Sequence, residues 1–282
     1  MTRQPRDRAG RFGPVAKSES GVTLVPPIGL SLDELARESA RFGVSDDQVR
    51  RDHAISHVLS ALSRDRADDV IFFGGTALSR THMVHARLSE DIDLIAQGPR
   101  GEVASRLTQS IEFGLLRTHG RVTWNPPFSA NSDVQPAALE IPGGITIKVQ
   151  LLDGRFYSRW PVERREMEQR YTDAGPAILT VPTLESFSGW KTAAWHDRGA
   201  PRDLYDLWLL AERGAITAEA AKLFARHGTT GGPPRDFMFS KPPLETAWQV
   251  QLAEQTRLEV SAADALAVVR HAWASAQNEN WD

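Results

Sequence analysis

Along the first third of the chain, apolar positions recur at helical spacing and then give way to short apolar runs of strand character. In "LSLDELARESARF" (30–42) Leu30, Leu32, Leu35 and Ala36 fall on one side, and Ser31 stands where an N-cap would accept a backbone N–H. "VSDDQVRRDHAISHVLSAL" (44–62) repeats Val49, Ala54, Ile55, Val58, Leu59 and Leu62 with the same period, predicting a second helix. "DDVIFF" (68–73) and "SEDIDLIA" (89–96) read as strands on either side of a helix opened by "GGTALSRTHMVHAR". "SRLTQSIEFGLL" (105–116) is again helical, and "RVTWN", "AALEI" and "ITIKVQLLD" predict a meander punctuated by Pro127, Pro142, Gly143 and Gly144. After "VPTLESF" the pattern is helical to the end, interrupted at "RGAPRD" and "HGTTGGPPRD".

That order predicts an α+β fold, a small mixed sheet with flanking helices followed by a helical C-terminal half. The expected divisions are a basic arm over 1–28, a core with its N-terminal helices over 29–165, and a helical domain over 166–282. The first twenty residues carry five Arg or Lys against two acids and few apolar groups, so they predict a flexible arm, either solvated or touching nucleic acid.

Composition narrows the function classes. A net charge of −3 leaves no global basic field, so a nucleic-acid substrate would need a local patch and stable DNA binding is not expected. The absence of cysteine excludes disulfides, thiol catalysis and Cys-ligated zinc, and suits a cytoplasmic protein. No apolar run approaches a membrane span and no signal peptide is visible.

The candidate chemistry starts at "LSEDIDLIA" (88–96). Strand alternation puts Asp91 and Asp93 on one face about 6.6 Å apart, close enough to converge on a hard cation. Ser89 and Ile95 share that face. Upstream, Gly74 and Gly75 end a strand, and Thr76 is expected to cap the helix that follows, the arrangement that presents free N–H groups to a phosphate. Either half alone is an ordinary structural pattern. Together they suggest a nucleotide held between the helix start and a metal on the carboxylates.

A second charged cluster lies in "GWKTAAWHDRGAPRDLYDLWLL" (189–210). Pro201 suits a helix start; Arg202, Asp203 and Asp206 share one side, and Leu204, Leu207, Trp208 and Ala211 the other. Read on its own, this is a helix with a solvated charged face. Of the eight histidines, only His82 and His85 show a ligand-like spacing, and they read as packing or surface residues. The tryptophans at 190, 195, 208, 248 and 273 read as core, with base stacking open to an exposed one.

"GGTALSRTHMVHARLSEDIDLI" together with "K…R…RDLYDL" resembles the signature of AbiEii-type nucleotidyltransferases, toxins of type IV-like toxin–antitoxin pairs that include the mycobacterial MenT group. The resemblance implies a minimal nucleotidyltransferase core and Mg²⁺-dependent (or Mn²⁺-dependent) transfer of a nucleoside monophosphate from an NTP. It implies a cognate antitoxin as partner and, as in some relatives, a tRNA 3′ end as acceptor. Carried onto this sequence, Asp91 and Asp93 would hold metal, and Lys191 and Asp206 would complete the catalytic set. Gly74, Gly75, Thr76, Ser89, Arg198 and Arg202 would surround the nucleotide. Ser89 also corresponds to a region phosphorylated in some relatives. One departure stands out: where a third acid is expected, "ITIKVQLLD" supplies Gln150, leaving Glu140, Asp153 or Asp206 as substitutes, while Lys148 reads either as a phosphate contact or as an exposed strand lysine. A non-catalytic relative, or transfer to a protein or small molecule, are the alternatives.

Overall fold

The computed structural model describes residues 29–278 except 133, 134 and 158; the expected basic arm lies outside the described residues. Helix α1 (Leu32–Phe42) starts at Ser31 with a reciprocal capping box to Glu34 and stops at Gly43 in the left-handed region, φ 68°. Its buried side differs from the one expected. Glu34, Leu35, Glu38 and Phe42 face inward, while Leu32 is 80 % exposed and Ala36 is exposed. The carboxylates are tolerated inside because they have partners: Glu34 accepts from Thr172 and Ser31, and Glu38 pairs with Arg37 and Arg41.

Helix α2 (Asp46–Arg66) buries all six of the periodic apolar residues. It lies under the sheet with α4 (Arg100–Leu115), against the inward residues of the central strands. Strand β1 (Val70–Phe73) leads directly into the short helix α3 (Gly74–Arg80). Strands β2 (Asp91–Ala96), β3 (Thr123–Asn125), β4 (Ala137–Ile141) and β5 (Ile145–Asp153) follow, with β3–β4–β5 forming the expected antiparallel meander.

Two strands are absent from the sequence reading. β6 (Val162–Glu166) and β7 (Ile178–Pro182) form an antiparallel pair, and β7 joins β1 in parallel. The result is one seven-stranded mixed sheet of order β3-β4-β5-β2-β1-β7-β6, with β2 at its centre. The expected division between 165 and 166 thus falls inside a strand, β6. Charged "VERRE" alternates exposed and half-buried on an edge, which hides its strand character from a search for apolar runs.

The C-terminal helices are α5 (Leu184–Arg198), α6 (Pro201–Glu212), α7 (Ala218–His227), α8 (Glu245–Leu252) and α9 (Ala262–Asn278). Their apolar faces share one continuous core with the sheet: Phe187, Trp195, Leu204, Leu207, Phe224, Trp248 and Trp273 belong to the same buried cluster as Phe72, Ile92 and Leu94. Among the described residues, no helix is long and apolar enough to cross a membrane.

Candidate active site

The sheet has a covered face and an open one. Ile92, Leu94, Ile147, Val149 and Leu151 point into the core, whereas Asp91, Asp93, Lys148 and Gln150 alternate onto the other side. Registry brings these last four together. β2 and β5 are parallel, with Asp91 beside Lys148 and Asp93 beside Gln150. On the other flank β1 is antiparallel and sets Phe73 opposite Asp93.

The β1–α3 junction is shaped around these carboxylates. Gly74 has φ +80°, and a Cβ there would run into the Asp93 carboxylate; a Cβ on Gly75 would meet Arg87 and Ser89. Glycine is therefore required both for backbone conformation and for space. Thr76 does not cap α3. The N-cap position is Phe73, and buried Thr76 donates its hydroxyl hydrogen bond to the Asp91 carbonyl, fastening the helix to β2. The expectation failed because the helix begins on the glycines themselves.

Behind the carboxylates lies a chain of buried ion pairs. Gly199, at φ 58°, ends α5, and Pro201 starts α6, so the "RGAPRD" break folds the two helices onto each other. Asp203 then accepts from Arg198 at 2.6 and 3.0 Å and from Lys191 at 3.1 Å. Lys191 also reaches Asp206 at 2.6 Å. Asp206 in turn receives a two-pronged contact from Arg87 at 2.8 and 2.9 Å, and Arg87 is steadied by Gln255 at 2.7 Å. Asp203, Asp206, Lys191 and Arg87 are all buried, so the reading of this helix side as a solvated charged face is corrected. Burial pushes Asp203 up, but Lys191 and Arg198 outweigh it and bring its pKa to about 2; Asp206 is likewise held low by Arg87 and Lys191 against burial.

The two strand carboxylates experience the opposite balance. Burial and the neighbouring Asp91 raise Asp93 to about 6, only partly opposed by Lys191, Arg198 and Arg202. Asp91 is raised by burial as well, with Arg202 and Lys148 opposing. Neither carboxylate has an ion pair within 4 Å among the described residues, and Arg202 and Lys148 likewise have none, although both act on Asp91. An acidic pair with its ionised form disfavoured, faced by unpaired cations, is a site arranged for a charged ligand.

Other expected participants lie elsewhere. Glu140 is hydrogen-bonded to Thr123 and Asn125 on the meander edge, and Asp153 pairs with Arg155 at the far end of β5, opposite Ala96. Ser89 is buried at the entry to β2 beside Gly75. His82 packs on Phe187 with Nε2 near Glu163, and His85 meets Arg41, so this pair forms no ligand set. His53 and His57, rather than His82 and His85, form the convergent pair: they meet Asp173 from across the chain. Arg87, within "HARLS", carries no periodic signal of its own, because its partner Asp206 lies 119 residues away. Trp190 is half-buried and stacks between Phe73 (4.8 Å) and Trp160 (5.7 Å), while Trp195, Trp248 and Trp273 are core residues.

Residues 57–279 match the model of the nucleotidyl transferase AbiEii toxin family, described as a type IV toxin–antitoxin system. The chain belongs to this AbiEii family. It is thus a member of a nucleotidyltransferase toxin family, and such a toxin implies a cognate antitoxin. Among solved structures, the AbiEii chain is similar to MenT4, a nucleotidyltransferase toxin from Mycobacterium tuberculosis H37Rv, with a TM-score of 0.69 and 24 % identity over 89 % of this chain and 90 % of that one. That likeness establishes the fold. A nucleotidyltransferase candidate from H. pylori aligns over 84 % of this chain and 97 % of that one, at 13 % identity and a TM-score of 0.49. No curated protein matches the sequence.

Proposed function

We propose that this AbiEii protein is a cytoplasmic toxin that transfers a nucleoside monophosphate from an NTP to the 3′ hydroxyl of a tRNA, thereby blocking translation. The observation that carries the reading is the Asp91/Asp93 pair on the open side of the sheet, with Lys148 beside Asp91 in register and Arg202 acting on both carboxylates. Two carboxylates of one strand face, with Gln150 contributing a further oxygen beside them, form a hard donor set suited to Mg²⁺ or Mn²⁺. Such an ion, held by Asp91 and Asp93, would neutralise phosphate charge and orient the α-phosphate.

The protein's own groups have separable tasks in this reading. Arg202 and Lys148 attract the triphosphate, and Arg198, anchored by Asp203, adds a fixed positive edge. Lys191 and Asp206 position: each is locked into buried ion pairs that hold α5 and α6 beside β2. Gly74, Gly75 and Thr76 keep the β1–α3 turn low enough to leave room for phosphate above Asp93. Ser89 sits on the border of the same turn. The acceptor oxygen attacks the α-phosphorus, the bond to the β-phosphate oxygen breaks, and pyrophosphate leaves.

An aromatic ladder supports a base-binding role next to this centre. It runs from Phe73, opposite Asp93, through Trp190 to Trp160. The ladder borders a cavity of about 740 Å³ that also exposes Arg100, Arg155 and Arg159. Aromatic rings beside arginine-lined space are features that hold single-stranded nucleotides.

Incubation with each labelled NTP, Mg²⁺ and total tRNA tests the reading. Label in tRNA that disappears in Asp93→Ala is the expected result. Label in a protein or small acceptor would replace tRNA as substrate. No transfer to any acceptor would favour the non-catalytic alternative, for which Gln150 is the structural argument.

A further inference from the structure

A second cluster, sharing no residue with the carboxylate site, combines metal-ligand chemistry, burial and convergence. His53 and His57 are four residues apart on α2, so one helical turn places both imidazoles on the same face. Asp173, in the loop between β6 and β7, reaches both. Its Oδ1 lies 3.0 Å from His53 Nε2, its Oδ2 lies 3.2 Å from His57 Nε2, and the two Nε2 atoms are 3.3 Å apart.

This triangle cannot be satisfied by hydrogen bonds alone. An ionised carboxylate only accepts, so each Nε2 needs a proton to bond Asp173, and the two protonated nitrogens then confront each other along the third edge. Removing either proton trades that clash for a lone pair facing a carboxylate oxygen. A cation at the centre resolves all three contacts at once. Zinc bonds of about 2.0–2.1 Å in a tetrahedron imply ligand–ligand edges of about 3.3 Å, and the triangle of His53 Nε2, His57 Nε2 and Asp173 Oδ2 has edges of 3.3, 3.2 and 3.3 Å.

We propose that His53 Nε2, His57 Nε2 and one carboxylate oxygen of Asp173 form a binding site for a divalent transition ion of the zinc type. The surroundings match what such a site requires. His53 Nδ1 lies 3.2 Å from His119 Nε2, and His119 Nδ1 lies 2.8 Å from Thr118 Oγ1, giving the outward N–H of His53 a partner and fixing its ring. The Gly29 N–H donates to Asp173 Oδ2 at 2.9 Å. His57 and Asp173 also border a cavity of about 370 Å³, which provides an entry route and room for water as fourth ligand. Two imidazoles select zinc-like ions over Mg²⁺, so the site differs in kind from the oxygen-only Asp91/Asp93 pair.

Such an ion would tie α2 to the 167–177 loop. That loop also carries Arg170 and Tyr171, which bond Asp52 beside Arg80, the last residue of α3. The ion would thereby brace the underside of the helix whose other end shapes the carboxylate site.

The test uses the full chain stripped of metal with a chelator. Zinc is titrated calorimetrically, and Co²⁺ is followed by visible absorption. The expected result is one ion per chain, a tetrahedral Co²⁺ spectrum, and a zinc-dependent rise in Tm. His57→Asn and Asp173→Asn should abolish all three, and His119→Phe should weaken binding about 10–100-fold. Asp93→Asn should leave them unchanged. The proposal is overturned if the wild-type chain binds no stoichiometric zinc, or if the His57 and Asp173 variants bind as tightly as wild type. Loss of the site in Asp93→Asn would also overturn it, by placing the ion at the strand carboxylates.

Discussion

Asp93 and Gln150 stand side by side on adjacent parallel strands, an acid and an amide in register at the centre of the sheet. The amide adds a donor without adding charge. Gln150→Glu would place a third carboxylate beside a pair whose ionised forms are already disfavoured. The metal-free variant should lose about 1–2 kcal/mol at neutral pH, and millimolar Mg²⁺ should restore more stability to it than to wild type. Thermal melts with and without Mg²⁺ check this; equal Mg²⁺ responses would place the ion away from Gln150.

The raised pKa of Asp93 has a signed consequence for stability. Its folded value of about 6 exceeds the ordinary 3.8, so its ionised form opposes folding above pH 6, and the penalty fades as pH falls from 6 towards 3.8. Asp93→Asn should therefore stabilise the metal-free protein by about 1–2 kcal/mol at pH 7.5 and give no gain near pH 4. Urea midpoints across that range measure it. The same substitution should abolish nucleotidyl transfer.

Lys191 and Arg202 should separate folding from catalysis. Lys191→Ala leaves Asp203 and Asp206 short of a buried cation and should cost about 3–5 kcal/mol, lowering activity together with folded protein. Arg202 is half-buried and outside the ion-pair chain, so Arg202→Ala should hold stability within about 0.5 kcal/mol yet reduce transfer about 10–100-fold through weaker triphosphate binding. A Tm loss in Arg202→Ala as large as that in Lys191→Ala would refute the division of roles.

Acid should unfold the protein through its partnered carboxylates. Glu34 is lowered from 4.5, and Asp203 from 3.8, each to about 2. Burial alone would raise both; hydrogen bonds from Ser31 and Thr172 prevail at Glu34, and Lys191 and Arg198 prevail at Asp203. Their contribution is complete above about pH 4.5 and lost as pH falls towards 2. Glu34→Gln should flatten the stability curve in that window and leave its slope at pH 7 untouched.

What could be read from the chain followed from local periodicity. The six apolar residues of α2 and the alternation of β2 and β5 are set by spacing along a single element, whereas the placement of Gln150 beside Asp93 depends on the register of two strands and was expected from the family resemblance. β6 was hidden because its edge position tolerates "VERRE", and α1 misled because one of its buried glutamates, Glu34, depends on Thr172, 138 residues away. The ion-pair chain was half visible. Asp203 and Asp206 lie on one helix, but Arg87 joins them across 119 residues, and no helical or strand period reports such a contact.

The Arg87–Asp206 pair also constrains how this sequence can change. Each partner is buried and lies in a different half of the chain, one just ahead of the carboxylate strand and the other on α6. Losing Asp206 strands the Arg87 charge in the interior, and losing Arg87 leaves buried Asp206 with Lys191 as its one ion-pair partner among the described residues. A chain cut between β7 and α5 would strand Arg87 in the same way. The sheet and the C-terminal helices consequently hold together as one folded unit, with the strand that bears Asp91 and Asp93 held in place by residues encoded long after it.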